Sequence, residues 1–204
     1  MIALVDYGLG NLQAFDFIYR RLGIDAFPAR TPADIRAASR IILPGVGAFD
    51  WAMMRLQKSG LRDALDEEVL QANKPVLGVC VGMQMMARSS EEGKLPGLGW
   101  IDAEVVRLDT SLLATKTHLP HMGWNIATPT ARDSLFVGSG SPAFYFLHSY
   151  IVTTDRKQDV LSSSVYGAEF TSAIRCRNVY GTQFHPEKSH GWGVQLLKNF
   201  AEIK

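Results

Sequence analysis

The chain has 204 residues, 47% of them hydrophobic and 20% charged, with a net charge of +1. That length suits one domain with a core that needs no disulfide or metal staple. The near-neutral balance supplies no field that steers the chain to nucleic acid or a membrane surface, and no apolar run approaches the ~20 residues of a membrane span.

Residues 2–5 read as an apolar strand ending at a Gly-rich loop. Over 11–22, Leu12, Phe15, Ile18, Tyr19 and Leu22 recur at helical spacing, and Gly23 stops that helix. A short strand at 25–27, a helical turn from Pro32 to Ile35 and a strand at 40–43 follow. Helical runs near 49–58 and 61–72 lead to a buried strand beginning Pro75-Val76-Leu77 and a helix from Met83. The second half changes character. Segments 102–108, 121–127, 143–153, 159–166, 168–175 and 178–183 read as strands, with Tyr166-Gly167-Ala168 a hairpin-like turn. Residues 191–202 form a last helix with Val194, Leu197 and Phe200 on one face. The expected fold is α/β: one domain over residues 1–204, with a central mixed, mainly parallel sheet flanked by helices and antiparallel strands added in the second half.

Chemistry enters at Gly78-Val79-Cys80-Val81-Gly82. A strand, a sharp turn and a helix with a thiol at the apex is the cysteine form of a nucleophile elbow. Glycines two before and two after the apex are needed because side chains there would collide with the turn. The helix N-terminus beside the sulfur favours thiolate over thiol. Such a nucleophile needs a base and a group that orients the base. His185-Pro186-Glu187 supplies both: in extended backbone residues 185 and 187 project to one side, so Glu187 can hold the imidazole, while Pro186 stiffens the link. Cys80, His185 and Glu187 are therefore the expected catalytic residues. A tetrahedral intermediate needs donors for its oxyanion. One is expected from the Val81 amide, and the other from the Gly45-Val46-Gly47 backbone, on a loop after the strand at 40–43. Glycines there let a peptide flip at low steric cost.

These segments together resemble the class I (triad) glutamine amidotransferases. More narrowly, they resemble the HisH group, the glutaminase subunits of imidazole glycerol phosphate synthase. The narrower marks are Asp6-Tyr7-Gly8-Leu9-Gly10-Asn11-Leu12, Pro44-Gly45-Val46-Gly47-Ala48-Phe49, Pro120-His121-Met122-Gly123-Trp124-Asn125 and Phe144-Tyr145-Phe146-Leu147-His148-Ser149-Tyr150. They cover essentially the whole chain. The resemblance implies a flavodoxin-like fold and hydrolysis of glutamine to glutamate through a thioester on Cys80. The ammonia then passes to a (β/α)₈-barrel synthase subunit of HisF type, the partner in a heterodimer, which forms imidazole glycerol phosphate and AICAR in histidine biosynthesis. It also implies that Val46, Gly47, Gln84, His148, Ser149 and Tyr150 surround the glutamine, and that Asn11, His121, Met122, Trp124 and Asn125 lie towards the partner. No cofactor is implied. The elbow reads Val-Cys-Val where the family more often has Ile-Cys-Leu, an apolar exchange, and His118 stands where Lys or Arg is common.

The remaining residues are read without the family. Cys176 alternates within a strand and no glycines frame it, so it reads as core. Met83, Met85 and Met86 read as packing. In Phe144-Tyr145-Phe146 the two phenylalanines face one way and the tyrosine the other. Trp124 has two readings, buried core or an interface anchor. His121, His148, His185 and His190 lack the close pairing of a zinc site, so no metal is expected. Two cysteines make no disulfide framework, and a reactive thiol fits a reducing compartment. The opening Met-Ile-Ala-Leu-Val-Asp is too short and too acidic for a signal peptide, and a cytoplasmic location is expected. Competing readings are a paralogous glutaminase that feeds another barrel, as in sugar amidination, a free-standing cysteine hydrolase, and a partner that activates a synthase without catalysis.

Overall fold

Continuous apolar runs dictate the centre of the molecule. Strand β1 (Ile2–Val5) is buried at every position, the signature of a strand covered on both faces. Helix α1 (Leu12–Arg21) follows, and the Asn11 side chain caps it by accepting from the Ala14 amide at 3.3 Å. Then come β2 (Ala26–Ala29), α2 (Pro32–Ala37), β3 (Arg40–Gly45), α3 (Phe49–Ser59) and α4 (Arg62–Asp66). Helix α2 starts with a capping box between Thr31 and Asp34. Helix α4 runs on through a π-helical turn at Glu67–Gln71, so the expected helix over 61–72 is present but changes its winding halfway. Next are β4 (Val76–Cys80), α5 (Val81–Met85), β5 (Ser89–Ser90), β6 (Glu104–Arg107), β7 (His121–Ile126) and β8 (Thr128–Pro129). The chain closes with β9 (Ala143–His148), β10 (Tyr150–Thr153), β11 (Val160–Tyr166), β12 (Ala168–Cys176), β13 (Val179–Thr182) and α6 (His190–Glu202). The structure is a computed structural model and describes residues 1–109, 111, 118–130, 134–138, 140 and 142–203. Among them no helix is long and apolar enough to cross a membrane.

The main sheet has eight strands in the order β2-β1-β3-β4-β13-β12-β11-β8. Its β2 to β13 part is parallel, and β12, β11 and β8 are antiparallel additions. The expected mixed, mainly parallel sheet is therefore present. Pro28 is tolerated because β2 is an edge strand. Not every strand of the second half joins this sheet. The segment expected as one strand over 143–153 divides at Ser149, whose carbonyl accepts from the Leu108 amide at 2.9 Å. Before the break β9 pairs with β7 in a sheet of two strands; after it β10 joins β6 and β5. Period-two alternation marks a strand, but it does not say which neighbour accepts its hydrogen bonds.

Ligands of open α/β sheets sit beyond the carboxyl ends of the strands. Here β3 and β4 end side by side, with Gly45 in register with Cys80. On the other flank β13 ends at Thr182, opposite Val79, and the chain then turns towards His185. Three segments that are remote in sequence thus converge on one corner.

Candidate active site

The elbow forms where β4 runs directly into α5. Cys80 has φ +55° and ψ −114°, a conformation uncommon for a residue with a Cβ. The backbone there passes so close to its neighbours that two glycines have no substitute. A Cβ on Gly82 would lie 1.9 Å from the Leu43 carbonyl oxygen, and one on Gly45 would lie 2.2 Å from the Gly82 nitrogen. The Tyr7 hydroxyl donates to the Pro44 carbonyl at 2.6 Å and lies 3.6 Å from Met85 Sδ, so it ties the end of β3 to α5. Burial raises the Tyr7 pKa above its usual value, and the nearby Cys80 charge raises it further. Val81 opens α5, where an amide has no acceptor within the helix.

His185 is held from three directions. Its amide donates to the Tyr145 carbonyl at 2.8 Å, its carbonyl accepts from Ser189 Oγ at 2.6 Å, and Ser189 Oγ accepts from the Tyr145 amide at 3.0 Å. Glu187 Oε1 lies 2.9 Å from His185 Nδ1, and both side chains are buried. The route differs from the extended segment that the sequence suggests. Pro186–Lys188 is a 3₁₀ turn, and the turn brings the carboxylate back to the ring. Proline suits its first position because the missing N–H would have found no partner there. Burial alone would depress the His185 imidazolium. Hydrogen bonds to Cys80 and Glu187, and their charges, outweigh burial and lift its pKa to about 10. The resting arrangement is thus an imidazolium beside the sulfur.

The sulfur opens into a cavity of about 240 Å³, which also meets Val46, Gly47, Val81, Gln84, His148, Ser149, Tyr150 and His185. Apart from Gly45, the residues expected around the oxyanion or the glutamine therefore line one small space. It is slightly smaller than the usual ~300–1,000 Å³ of ligand pockets and suits a molecule of amino-acid size. Gly47 has φ +85°, a conformation natural to glycine. Gln84 Nε2 is already committed to the Tyr150 carbonyl and to Gln183 Oε1, at 3.1 Å each, which leaves its oxygen for a ligand.

The residues expected towards a partner separate into two faces. Along β7, Met122 and Trp124 point outwards, 61% and 48% exposed, together with Ile126, which sequence reading passed over. Trp124 is therefore not core; it stacks on His190 with ring centroids 5.2 Å apart. His121 does not fit its expected place at an interface. It is buried and stacks between Phe146 and Tyr166, because alternation along the strand turns it inwards. The Asn125 amide follows His121 and donates to the Val165 carbonyl at 2.8 Å. Asn11 is exposed at the start of α1, where its side chain caps the helix. Phe144 and Phe146 are buried with Met83, Met85 and Met86, whereas Tyr145 lies on the other face of β9. Cys176 is partly buried against the core, and both cysteines are free. His118 is exposed, with its carbonyl accepting from the Tyr166 hydroxyl.

Sequence reading missed several residues of the cavity. Glu92, Pro120, Leu147 and Lys188 line it. Gln183 lies behind the sulfur, fully buried, with Nε2 3.8 Å from Cys80 Sγ. A glutamine directly after a buried strand, two residues before His185, was the available signal.

Comparison with known proteins gives the family and the fold. Residues 3–203 match the family model of class-I glutamine amidotransferases. The chain is 52% identical to the imidazole glycerol phosphate synthase subunit HisH of Bdellovibrio bacteriovorus and 46% identical to HisH 2 of Pseudomonas aeruginosa, each over 100% of both chains. Its fold superimposes on a crystal structure of a glutamine amidotransferase with a TM-score of 0.76 at 18% identity, covering 99% of both chains. With full-length identity at this level, the chain belongs to the HisH family of class-I glutamine amidotransferases.

Proposed function

We propose that the chain hydrolyses glutamine at Cys80 and passes the ammonia to a (β/α)₈-barrel synthase subunit of HisF type. The barrel uses it to form imidazole glycerol phosphate and AICAR in histidine biosynthesis. The observation that carries this reading is the buried thiol at the elbow, beside the His185–Glu187 pair and open to an amino-acid-sized cavity.

The geometry supports a two-stage reaction. The Cys80 thiolate attacks the carboxamide carbon of glutamine, and the oxygen takes the negative charge. The Val81 amide and the backbone at Val46 and Gly47 offer donors for that oxygen. The intermediate collapses as the C–N bond breaks, and His185 gives its proton to the departing nitrogen. Ammonia and a thioester remain. Neutral His185 then takes a proton from water, which adds to the thioester carbon. Collapse expels the thiolate and releases glutamate. Glu187 keeps the ring oriented through both stages and stabilises the imidazolium between them. Gln84 and the Gly47 backbone hold the glutamine, with the His148-Ser149-Tyr150 backbone on its α-carbon end; all of these residues line the cavity.

Ammonia released to water would be wasted, so the free subunit should be nearly inactive. The loop at 45–47 is the switch. With a carbonyl directed at the oxyanion the site rests, and with an N–H there it works. Met122, Trp124 and Ile126 form an exposed apolar stripe for the partner, and Asn11 lies towards it at the start of α1. The test is steady-state glutamine hydrolysis, with and without the barrel and an analogue of its substrate. One oxyanion donor is worth ~10²–10³ in rate, and addition of the barrel should raise the rate by at least that factor. In the complex, Cys80→Ala should lose on the order of 10⁴ or more, while synthesis from free ammonia survives. Full activity of the chain alone would refute the coupling, and an active Cys80→Ala protein would refute the chemistry.

A further inference from the structure

We propose that Gln183 is a further catalytic residue, whose side-chain N–H donates to the Cys80 sulfur and stabilises it as the thiolate. Gln183 is fully buried, and its Nε2 lies 3.8 Å from Cys80 Sγ. An amide could present either its nitrogen or its oxygen to the sulfur, and an oxygen there would oppose ionisation. The hydrogen bonds behind it decide which.

Their directions follow from backbone groups whose roles are known. The Tyr150 carbonyl can only accept, so Gln84 must turn its nitrogen to it. The same nitrogen faces Gln183 at 3.1 Å, so Gln183 must present its oxygen there and its nitrogen to the sulfur. A second arm supports the same anchor. His148 Nδ1 lies 3.0 Å from the Tyr150 carbonyl and must carry the proton. Its Nε2 is then bare and accepts from His121 Nδ1, also at 3.0 Å. His121 Nε2 is bare in turn and faces the Asn125 nitrogen at 3.3 Å, and that nitrogen donates to the Val165 carbonyl. The Asn125 oxygen accepts from the Ile126 amide, so this amide cannot flip either. Burial, aided at His148 by the neighbouring rings, lowers the two imidazoles to about 4 and about 3, so both stay neutral and the chain keeps one direction. His121, His148 and Gln84 are thus positioning residues. Gln183 touches the reacting atom itself, as do the His185 ring and the Leu147 carbonyl, which lies 3.8 Å from the sulfur and accepts from the thiol form; Tyr7 also feels the Cys80 charge.

The inference rests on Cys80 being the nucleophile, but its test needs no glutamine. Iodoacetamide alkylation of Cys80 in the full-length chain, followed by mass spectrometry of the Cys80 peptide across pH, reads the thiolate directly. Loss of a glutaminase assignment would leave that reading intact. Hydrogen bonds to charged groups are worth enough that Gln183→Met should slow alkylation near neutral pH about tenfold. The midpoint of the rate against pH should rise, with the circular dichroism spectrum retained. Gln84→Met frees the Gln183 amide to turn and should shift the midpoint in the same direction by less; it decides the matter if Gln183→Met does not fold. An unchanged midpoint in the folded variant overturns the proposal. The ¹⁵N spectrum of the wild-type chain gives an independent check. Both His121 and His148 should carry their proton on Nδ1, and a His148 protonated on Nε2 would overturn the chain that sets the amide.

Discussion

His185 meets two demands that pull its pKa in opposite directions. Burial excludes water and disfavours the imidazolium; Cys80 and Glu187 favour it and prevail, to about 10. In the proposed reaction the ring therefore begins with the proton that the leaving nitrogen needs. Glu187 touches only the far nitrogen of the ring, so its removal and that of His185 should differ. In the complex, His185→Ala should lose the ~10²–10⁴ of positioned proton transfer, and Glu187→Gln clearly less. Glu187→Gln also removes one of the influences that raise His185, so the ring should titrate at lower pH than in the wild type, as read by NMR of the imidazole carbon-bound protons. Equal losses of activity would mean that the carboxylate takes part in the chemistry itself.

Among the elements, the crossing of β3 with the start of α5 matters most. Gly45 and Gly82 let the two backbones meet at distances that exclude any side chain. The proposed oxyanion loop and the proposed nucleophile are consequently parts of one contact. Gly82→Ala should force β3 and α5 apart, because its Cβ meets backbone on the β3 side and not a side chain that could move away. A misplacement of about 1 Å at a reacting centre can cost ~10²-fold in rate. The expectation is a loss of that order in glutaminase rate, together with a lower thermal midpoint. A Gly82→Ala protein with wild-type values of both would show that the crossing has slack that the distances deny.

For the whole molecule, the reactive corner and the exposed face of β7 are joined through β9. Strand β9 pairs with β7 on one side, and its Tyr145 carbonyl accepts from the His185 amide. Trp124 stands on that outer face over His190, half-exposed, in the manner of an interface anchor. Trp124→Ala should weaken binding of the barrel subunit by more than about 1 kcal/mol, the usual threshold of an anchor, measured by calorimetric titration. The Cys80 alkylation rate of the free chain should not change. Unchanged affinity would move the interface away from β7.

The sequence alone determined the alternation of strands and helices, the elbow around Cys80 and the pairing of His185 with Glu187. Each of these is local: hydrophobic period, glycine spacing and the two-residue step from His185 to Glu187 are written in neighbouring positions, although the 3₁₀ turn that makes the pairing was not read there. It also determined the family, since the motifs run along the whole chain. The tertiary structure alone decided how distant pieces meet. It split 143–153 at Ser149 between two sheets, turned His121 inwards and made Trp124 a surface residue. It also brought Gln183 against a sulfur 103 residues away in sequence. Such matters depend on which strand accepts which hydrogen bond and which face of a strand finds the core. Strand periodicity is the same whichever neighbour is chosen, so only the assembled sheets could decide them.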